Sequence, residues 1–336
     1  MKKIYTLLLL VVLLISCGCG GSNKKNGNAK EAASSGDNTV VIYSSAEDYR
    51  NDYLLKKLKE KFPNYNIKLE YLSTGKHAAR LKSEGEKTAC DISFDLEKDY
   101  AMQLKNLYAD LSAYDTSIYM DDLVSKDKIW LPECRLGGAI IINKDVIKEK
   151  GLTVPRSYQD LLKPEYKGLI SMPNPKSSGT GYIFLKSLVN AWGEEKALQY
   201  FDKLSDNILQ YTSSGSGPVN ALVNKEVAIG LGMTAQAALK KTEGANLEIL
   251  YFSEGSPYTY YVATMIKGKE KKKAVKDVFD YFYSTLIEDD VRLFFPEKLY
   301  KNKDFTLKNM PKDIKYADMK NDTIEEKMRL LGKWNH

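Results

Sequence analysis

Histidine is nearly missing from this chain: 336 residues carry two, His77 and the terminal His336. A Ser-His-Asp triad therefore has only His77 to draw on, and no Gly-x-Ser-x-Gly occurs. Gly-x-Gly-x-x-Gly, the phosphate-loop signature and His-Glu-x-x-His are also missing, which removes the usual dinucleotide, nucleotide and zinc-protease readings. Ser73-Thr74-Gly75-Lys76 fits Ser-x-x-Lys, but the Lys-Thr-Gly partner of that serine-enzyme pattern is not there. There is no Cys-x-x-Cys pair for zinc or redox work. Blocks of like charge are absent too. The formal charge of +6 is interspersed, and the densest basic run is Lys269–Lys273, so no nucleic-acid footprint is present. The sequence reads as a non-enzyme that needs neither cofactor nor resident metal.

Nor is there an apolar run long enough for a typical membrane span. Leu7–Ile15 is too short, and with Lys2 and Lys3 before it residues 1–16 read as a signal peptide. Leu14-Ile15-Ser16-Cys17 resembles a bacterial lipobox, which implies cleavage before Cys17 and lipid on its thiol. Residues 17–38 are rich in Gly, Ser, Asn and Lys without an apolar period, as expected of a flexible tether. Cys90 and Cys134 remain for the folded part, either as a disulfide or as two buried thiols.

From Thr39 onward the chain has a strand-loop-helix rhythm. Thr39–Tyr43 leads through Ser44, Ser45 and Glu47 into a helix marked by Leu54, Leu58 and Phe62. Ile67–Leu72 leads through Ser73 and Thr74 into a second helix, and Asp91–Phe94 is a third strand. Such alternation implies a parallel, doubly wound α/β unit. Ligands of such units bind at the carboxyl ends of the strands, where Ser44, Ser45, Glu47, Ser73, Thr74 and Asp95 fall. His77 is expected on a solvated helix face. Gly137–Asn143, Gly168–Met172, Ile208–Tyr211, Val227–Leu231 and Val262–Ile266 are further strands, with helices between them.

Two loops stand out. Lys176-Ser177-Ser178-Gly179-Thr180-Gly181 opens a helix through Tyr182, Leu185, Leu188 and Trp192. Thr212–Pro218 (TSSGSGP) opens another at Val219. A helix start has unpaired N–H groups and partial positive charge, glycine lets an anion approach, and hydroxyls add donors. One such loop is ordinarily only a cap; two of the same kind suggest an anion cradle.

With the lipobox, the tether and two α/β units, the stretches at 130–145, 161–182, 210–218 and 254–268 resemble bacterial solute-binding lipoproteins of ABC importers. The resemblance points to the branch with ferric-ion, hexose-phosphate and 2-aminoethylphosphonate binders. It implies a two-lobed, periplasmic-binding-protein-like (type II) α/β fold with parallel and mixed sheets and a hinge. The expected division is 38–136 plus 266–286 for the N-lobe and 137–265 for the C-lobe, with helices of 287–336 packing on the C-lobe or hinge. The implied function is capture of a small anionic solute, a phosphonate or phosphate ester, between the lobes. Ser44, Ser45, Thr74, Arg135, Ser177, Ser178, Gly179, Thr180, Ser214, Ser216, Thr234 and Tyr260 are the expected ligand-binding residues. The partners would be permease and ATPase subunits, the location extracytoplasmic and lipid-anchored through Cys17, and the state monomeric. Alternatives are ferric ion or another metal, held by Tyr258, Tyr260 and Tyr261 with His77 or Glu47, and a polyamine- or thiamine-type solute. Ferric members carry adjacent tyrosines where this chain has Gly232–Gln236, without a tyrosine.

Overall fold

The computed structural model describes residues 38–336. The signal peptide, Cys17 and the tether up to residue 37 lie outside the described residues. The strands are β1 (Thr39–Ser44), β2 (Asn66–Tyr71), β3 (Ile92–Glu97), β4 (Leu131–Asn143), β5 (Ile170–Pro173), β6 (Ile208–Thr212), β7 (Ile229–Met233), β8 (Leu247–Leu250) and β9 (Tyr258–Met265). The helices are α1 (Asp48–Lys61), α2 (Thr74–Glu84), α3 (Lys98–Gln103), α4 (Lys144–Glu149), α5 (Gly179–Trp192), α6 (Glu194–Leu204), α7 (Gly217–Val223), α8 (Thr234–Thr242), α9 (Lys273–Tyr281), α10 (Ile287–Leu293) and α11 (Ile324–Lys333).

The strand path runs β2-β1-β3-β9-β4-β7-β5-β6, with β8 also on β4. Its midpoint is β4. Residues up to Gly137 pair antiparallel with β9, and from Gly138 onward the strand pairs with β7 and β8. The boundary expected at 136/137 falls inside this strand. Among the described residues β9 pairs only with β3 and the first half of β4, although the sequence grouped its residues with 137–265. β1–β2, β1–β3, β5–β6 and β5–β7 are parallel, so the helices after β1, β2 and β5 all start at carboxyl strand ends.

Each half of the path is buried on both faces. Val40 and Ile42 of β1 pack with Leu54 of α1 and Val278 of α9. Tyr43, one residue on, points to the opposite face with Ala78 and Leu81 of α2. In the second half Ile140 and Ile142 join Ile183 and Leu188 of α5, while Ile141 packs with Val219 and Leu222 of α7. Two covered faces explain why Ala139–Ile142 reads as an unbroken apolar run. The tail contributes to both halves: Leu299 and Tyr300 enter the first core, and Leu330, Leu331 and Trp334 the second. Among the described residues Cys90 and Cys134 are both free, and both are buried. His77 is fully buried, not solvated as its sequence context suggested, because α2 turns this face onto β1 and β3.

Candidate functional site

Four loops and two strands meet at one small cavity of about 20 Å³, room for about a single water. The β1–α1 turn brings Ser45 and Glu47, the β2–α2 turn Tyr71, Ser73 and Thr74, and β3 brings Asp95. Tyr261 of β9 also belongs to this half, and from the other half come Ser177–Thr180 at the start of α5 and Ser213–Gly215 ahead of α7. The two halves fit closely. A Cβ on Gly75 would lie 2.8 Å from the Lys176 carbonyl oxygen, and one on Gly179 would overlap the Tyr261 hydroxyl. A Cβ on Gly215 would lie 3.0 Å from Thr180 Cβ, so the two hydroxyl-rich loops touch.

The local chemistry follows from helix starts. α1, α2 and α5 all begin here, and each first turn carries N–H groups without a helical acceptor. Neither Glu47 nor Ser73 caps its own helix with a side-chain bond, and the Ser73 hydroxyl is buried without a partner among the described residues. At α5, Ser178 Oγ accepts only a long bond of 3.4 Å from Gly181 N. Three helix ends thus turn donors and positive potential on one point.

Beside this cradle lies a buried acidic cluster. Arg50 of α1 donates to Glu47 and Asp95 at 3.1 Å each, to Glu133 at 2.6 Å, and through two nitrogens to Asp290 at 3.0 and 2.7 Å. One guanidinium faces four carboxyls. Burial pushes the pKa of Glu47 up to about 7 against the opposing pull of Arg50, and burial also raises Asp95 and Glu133. Asp95 sits at an irregularity of β3 with φ of 57°, a left-handed backbone that aims its side chain between Arg50 and the cavity.

Of the expected residues, Ser45, Thr74, Ser177, Ser178, Gly179, Thr180 and Ser214 line this cavity. The rest do not. Ser44 is buried, donating to Asn51 at 2.7 Å and accepting from Ala46 N, a turn-fixing role. The Ser216 hydroxyl, among the described residues, meets only that of Ser214, at 2.9 Å. Arg135 pairs with Asp122 at 2.8 Å and stacks over Tyr258. Thr234 accepts from Tyr251 at 3.3 Å. Tyr260 lies beneath Lys98. The cavity also takes in Glu47, Tyr71, Ser73, Asp95, Ser213, Gly215 and Tyr261; of these, only Glu47 and Tyr261 were expected as ligands, and those for the metal alternative. Glu47, Ser73 and Asp95 had a signal, their place after a strand; Tyr261 was singled out only as a candidate metal ligand, and Tyr71 had no signal beyond strand alternation.

The tyrosines expected to hold a metal do not converge. Tyr261 faces the cavity while Tyr260 faces Lys98, as alternation on β9 requires. Asp95, Glu133 and Cys134 present ligand-type atoms within 4.8 Å of one another, but the Arg50 guanidinium already occupies the carboxylates. A Ser-Asp-Asn run occurs at Ser205–Asn207. It forms the turn after α6, with Asn207 buried against the Leu161 carbonyl, away from Ser73.

The sequence profile of the bacterial extracellular solute-binding proteins matches residues 122–327. The chain belongs to that family. A Haemophilus influenzae relative described as an uncharacterized protein is 26% identical over 329 residues, covering 88% of this chain and 89% of its own length. Among solved structures, the periplasmic binding protein AfuA from Actinobacillus pleuropneumoniae, with exogenous fructose-6-phosphate bound, is 25% identical. It superposes with a TM-score of 0.77 over 88% of this chain and 97% of its own. Iron-bound HitA from Pseudomonas aeruginosa is 18% identical, with a TM-score of 0.70 over 89% and 99%. The fold of this solute-binding protein is therefore the type II periplasmic binding fold. Family and neighbours are binding proteins rather than enzymes.

Proposed function

We propose that this solute-binding protein captures a small anionic solute, a phosphate ester or phosphonate, for an ABC importer. The observation that carries the reading is the convergence of three helix starts and the Ser213–Gly215 loop on one cavity. Uncharged N–H and O–H donors suit a desolvated dianion. The fructose-6-phosphate carried by AfuA is consistent with it. Glu47 and Asp95 supply acceptors for hydroxyl or ammonium groups on the rest of the solute. The division into an N-lobe and a C-lobe hinged at β4 and β9 belongs to the same reading, as do the lipid anchor on Cys17, the permease and ATPase partners and the monomeric state.

A thermal-shift and calorimetric panel tests it, with fructose 6-phosphate, glycerol phosphate, 2-aminoethylphosphonate, Fe(III), thiamine and spermidine. A phosphate ester or phosphonate should raise the melting temperature without added metal. Glu47 and Asp95 also favour a cationic solute over ferric ion as the second reading. Stabilisation by spermidine or thiamine alone would replace the first reading with that one.

A further inference from the structure

His77 joins the cavity to the interior of the first half. Its Nδ1 lies 2.9 Å from the Ser45 hydroxyl, which lines the cavity, and its Nε2 lies 3.0 Å from the hydroxyl of Ser93, fully buried on β3. Burial, then the Arg80 charge, lower its pKa to about 3, so the ring stays neutral. A neutral imidazole has one N–H and one lone pair. One serine must therefore donate to the ring and the other must accept from it.

The two arrangements differ in what they leave unpaired. With the proton on Nε2, the ring donates to Ser93, and the Ser93 proton then has no acceptor, since the ring is its only side-chain hydrogen-bond partner among the described residues. Ser45 would spend its proton on Nδ1 and show the cavity lone pairs only. With the proton on Nδ1, Ser93 donates to Nε2, the ring donates to Ser45, and the Ser45 proton is free to enter the cavity. Only the second arrangement leaves no buried hydroxyl proton unsatisfied.

We propose that His77 carries its proton on Nδ1 and thereby fixes Ser45 as a donor, so that the Ser45 hydroxyl pairs with a proton-free oxygen of the solute and not with an ammonium group. His77 is a positioning residue: it acts through Ser45 and does not touch the solute. The tautomer stands on the geometry of the two serines; its consequence for selectivity rests on the anionic-solute reading.

Long-range proton–nitrogen spectra of the full chain, labelled with nitrogen-15 at histidine, report the tautomer. The chain has two histidines, and His336→Gln assigns the second. The expected spectrum shows a protonated Nδ1 and a pyridine-like Nε2 at His77, unchanged between about pH 5 and 8, well above the lowered pKa. Ser93→Ala removes the donor to Nε2 without touching the cavity. It should mix the tautomers and weaken the tightest of fructose 6-phosphate, glycerol phosphate and 2-aminoethylphosphonate by about three- to tenfold. A pyridine-like Nδ1 in the wild type overturns the assignment, whatever binds. Mixed tautomers in Ser93→Ala with unchanged affinity overturn the role of Ser45 as a fixed donor. A protonated Nδ1 with none of the three probes bound upholds the tautomer and removes the anionic-solute reading.

Discussion

Thr180 stands where the two hydroxyl-rich loops touch, on the first turn of α5. A hydrogen bond to a charged group contributes about 1.5–3 kcal/mol, so Thr180→Ala should weaken binding of a phosphate ester about ten- to a hundredfold. The apo melting temperature should stay nearly constant, because Ser178 and not Thr180 caps the helix. Lower apo stability with intact affinity, measured by calorimetry, would reduce Thr180 to a packing residue. Glu47 gives a second prediction. Its carboxyl is held by burial near pH 7, so it is neutral below that pH and ionised above it. An ionised Glu47 beside the cavity repels a dianion, and affinity should fall as pH rises from about 6.5 to 8.5. Comparison with Glu47→Gln cancels the ionisation of the solute itself, and the variant should show the shallower profile. Parallel profiles would mean that Glu47 does not titrate beside the ligand. Ser177–Thr180 was legible in sequence because a hydroxyl-glycine run before a helical period is a local signal. Arg50 was not, since one arginine on a helix looks like any solvated cation until Asp95, Glu133 and Asp290 arrive from three other elements.

The element that ties the halves together is α11. Its Lys327 is fully buried, pairs with Glu97 of β3, and lies 4.4 Å from the ring centres of both Tyr100 of α3 and Tyr182 of α5. Asp322, just before the helix, accepts from Lys98 at 3.2 Å and from Tyr182 at 3.0 Å. Burial pushes the Glu97 carboxyl upward, but Lys327 and Lys98 outweigh it and hold it below its usual value. Breaking such a pair leaves a buried charge, so Lys327→Met should cost about 3–5 kcal/mol of stability in urea unfolding. Adding Glu97→Gln should recover part of that loss. An additive double-mutant cycle would show that the pair is not coupled. The tail helix itself was readable from its period at Ile324–Leu331. Its seat between Glu97 and Tyr182 was not, since lysine at a helical position ordinarily signals solvent.

Over the whole molecule, a cavity of about 20 Å³ cannot admit a phosphate ester without movement of its walls. Under the two-lobe reading, the ligand-free protein in solution should populate an opened form. Small-angle scattering should then show a radius of gyration that shrinks when a binding solute is added; an unchanged radius would argue against hinged closure. Stability should also respond to pH through buried acids. Glu297 accepts from the Gly137 N–H at 2.7 Å and from the Tyr316 hydroxyl at 2.5 Å, and burial raises its carboxyl to about 7, as it does for Glu47. A carboxyl with a raised folded pKa stabilises most below its unfolded value, and that contribution is lost as pH rises through 7. His77 works the other way, because only the unfolded chain protonates it below about 6.5. Above that pH the two glutamates act without it, so the melting temperature should fall from about pH 6.5 to 8. Glu297→Gln should make the fall shallower; an identical slope would assign the titration elsewhere.

The sequence by itself determined the α/β class, most strands, and the hydroxyl-glycine loops, because each rests on local period or turn chemistry. Apolar runs such as Ala139–Ile142 announce sheets buried on both faces, and Ser178–Gly181 announces a helix start, with no knowledge of what lies opposite. Only the tertiary structure decided which of those loops share a cavity. It joined Ser45 and Thr74 to Ser177–Thr180 and Ser214, left Ser44, Arg135, Ser216, Thr234 and Tyr260 outside, and buried His77 and Arg50. The reason is physical. Helix and strand periods fix which face a residue occupies. Burial of a charge or an imidazole is set by partners brought from distant parts of the chain, and no local pattern records them.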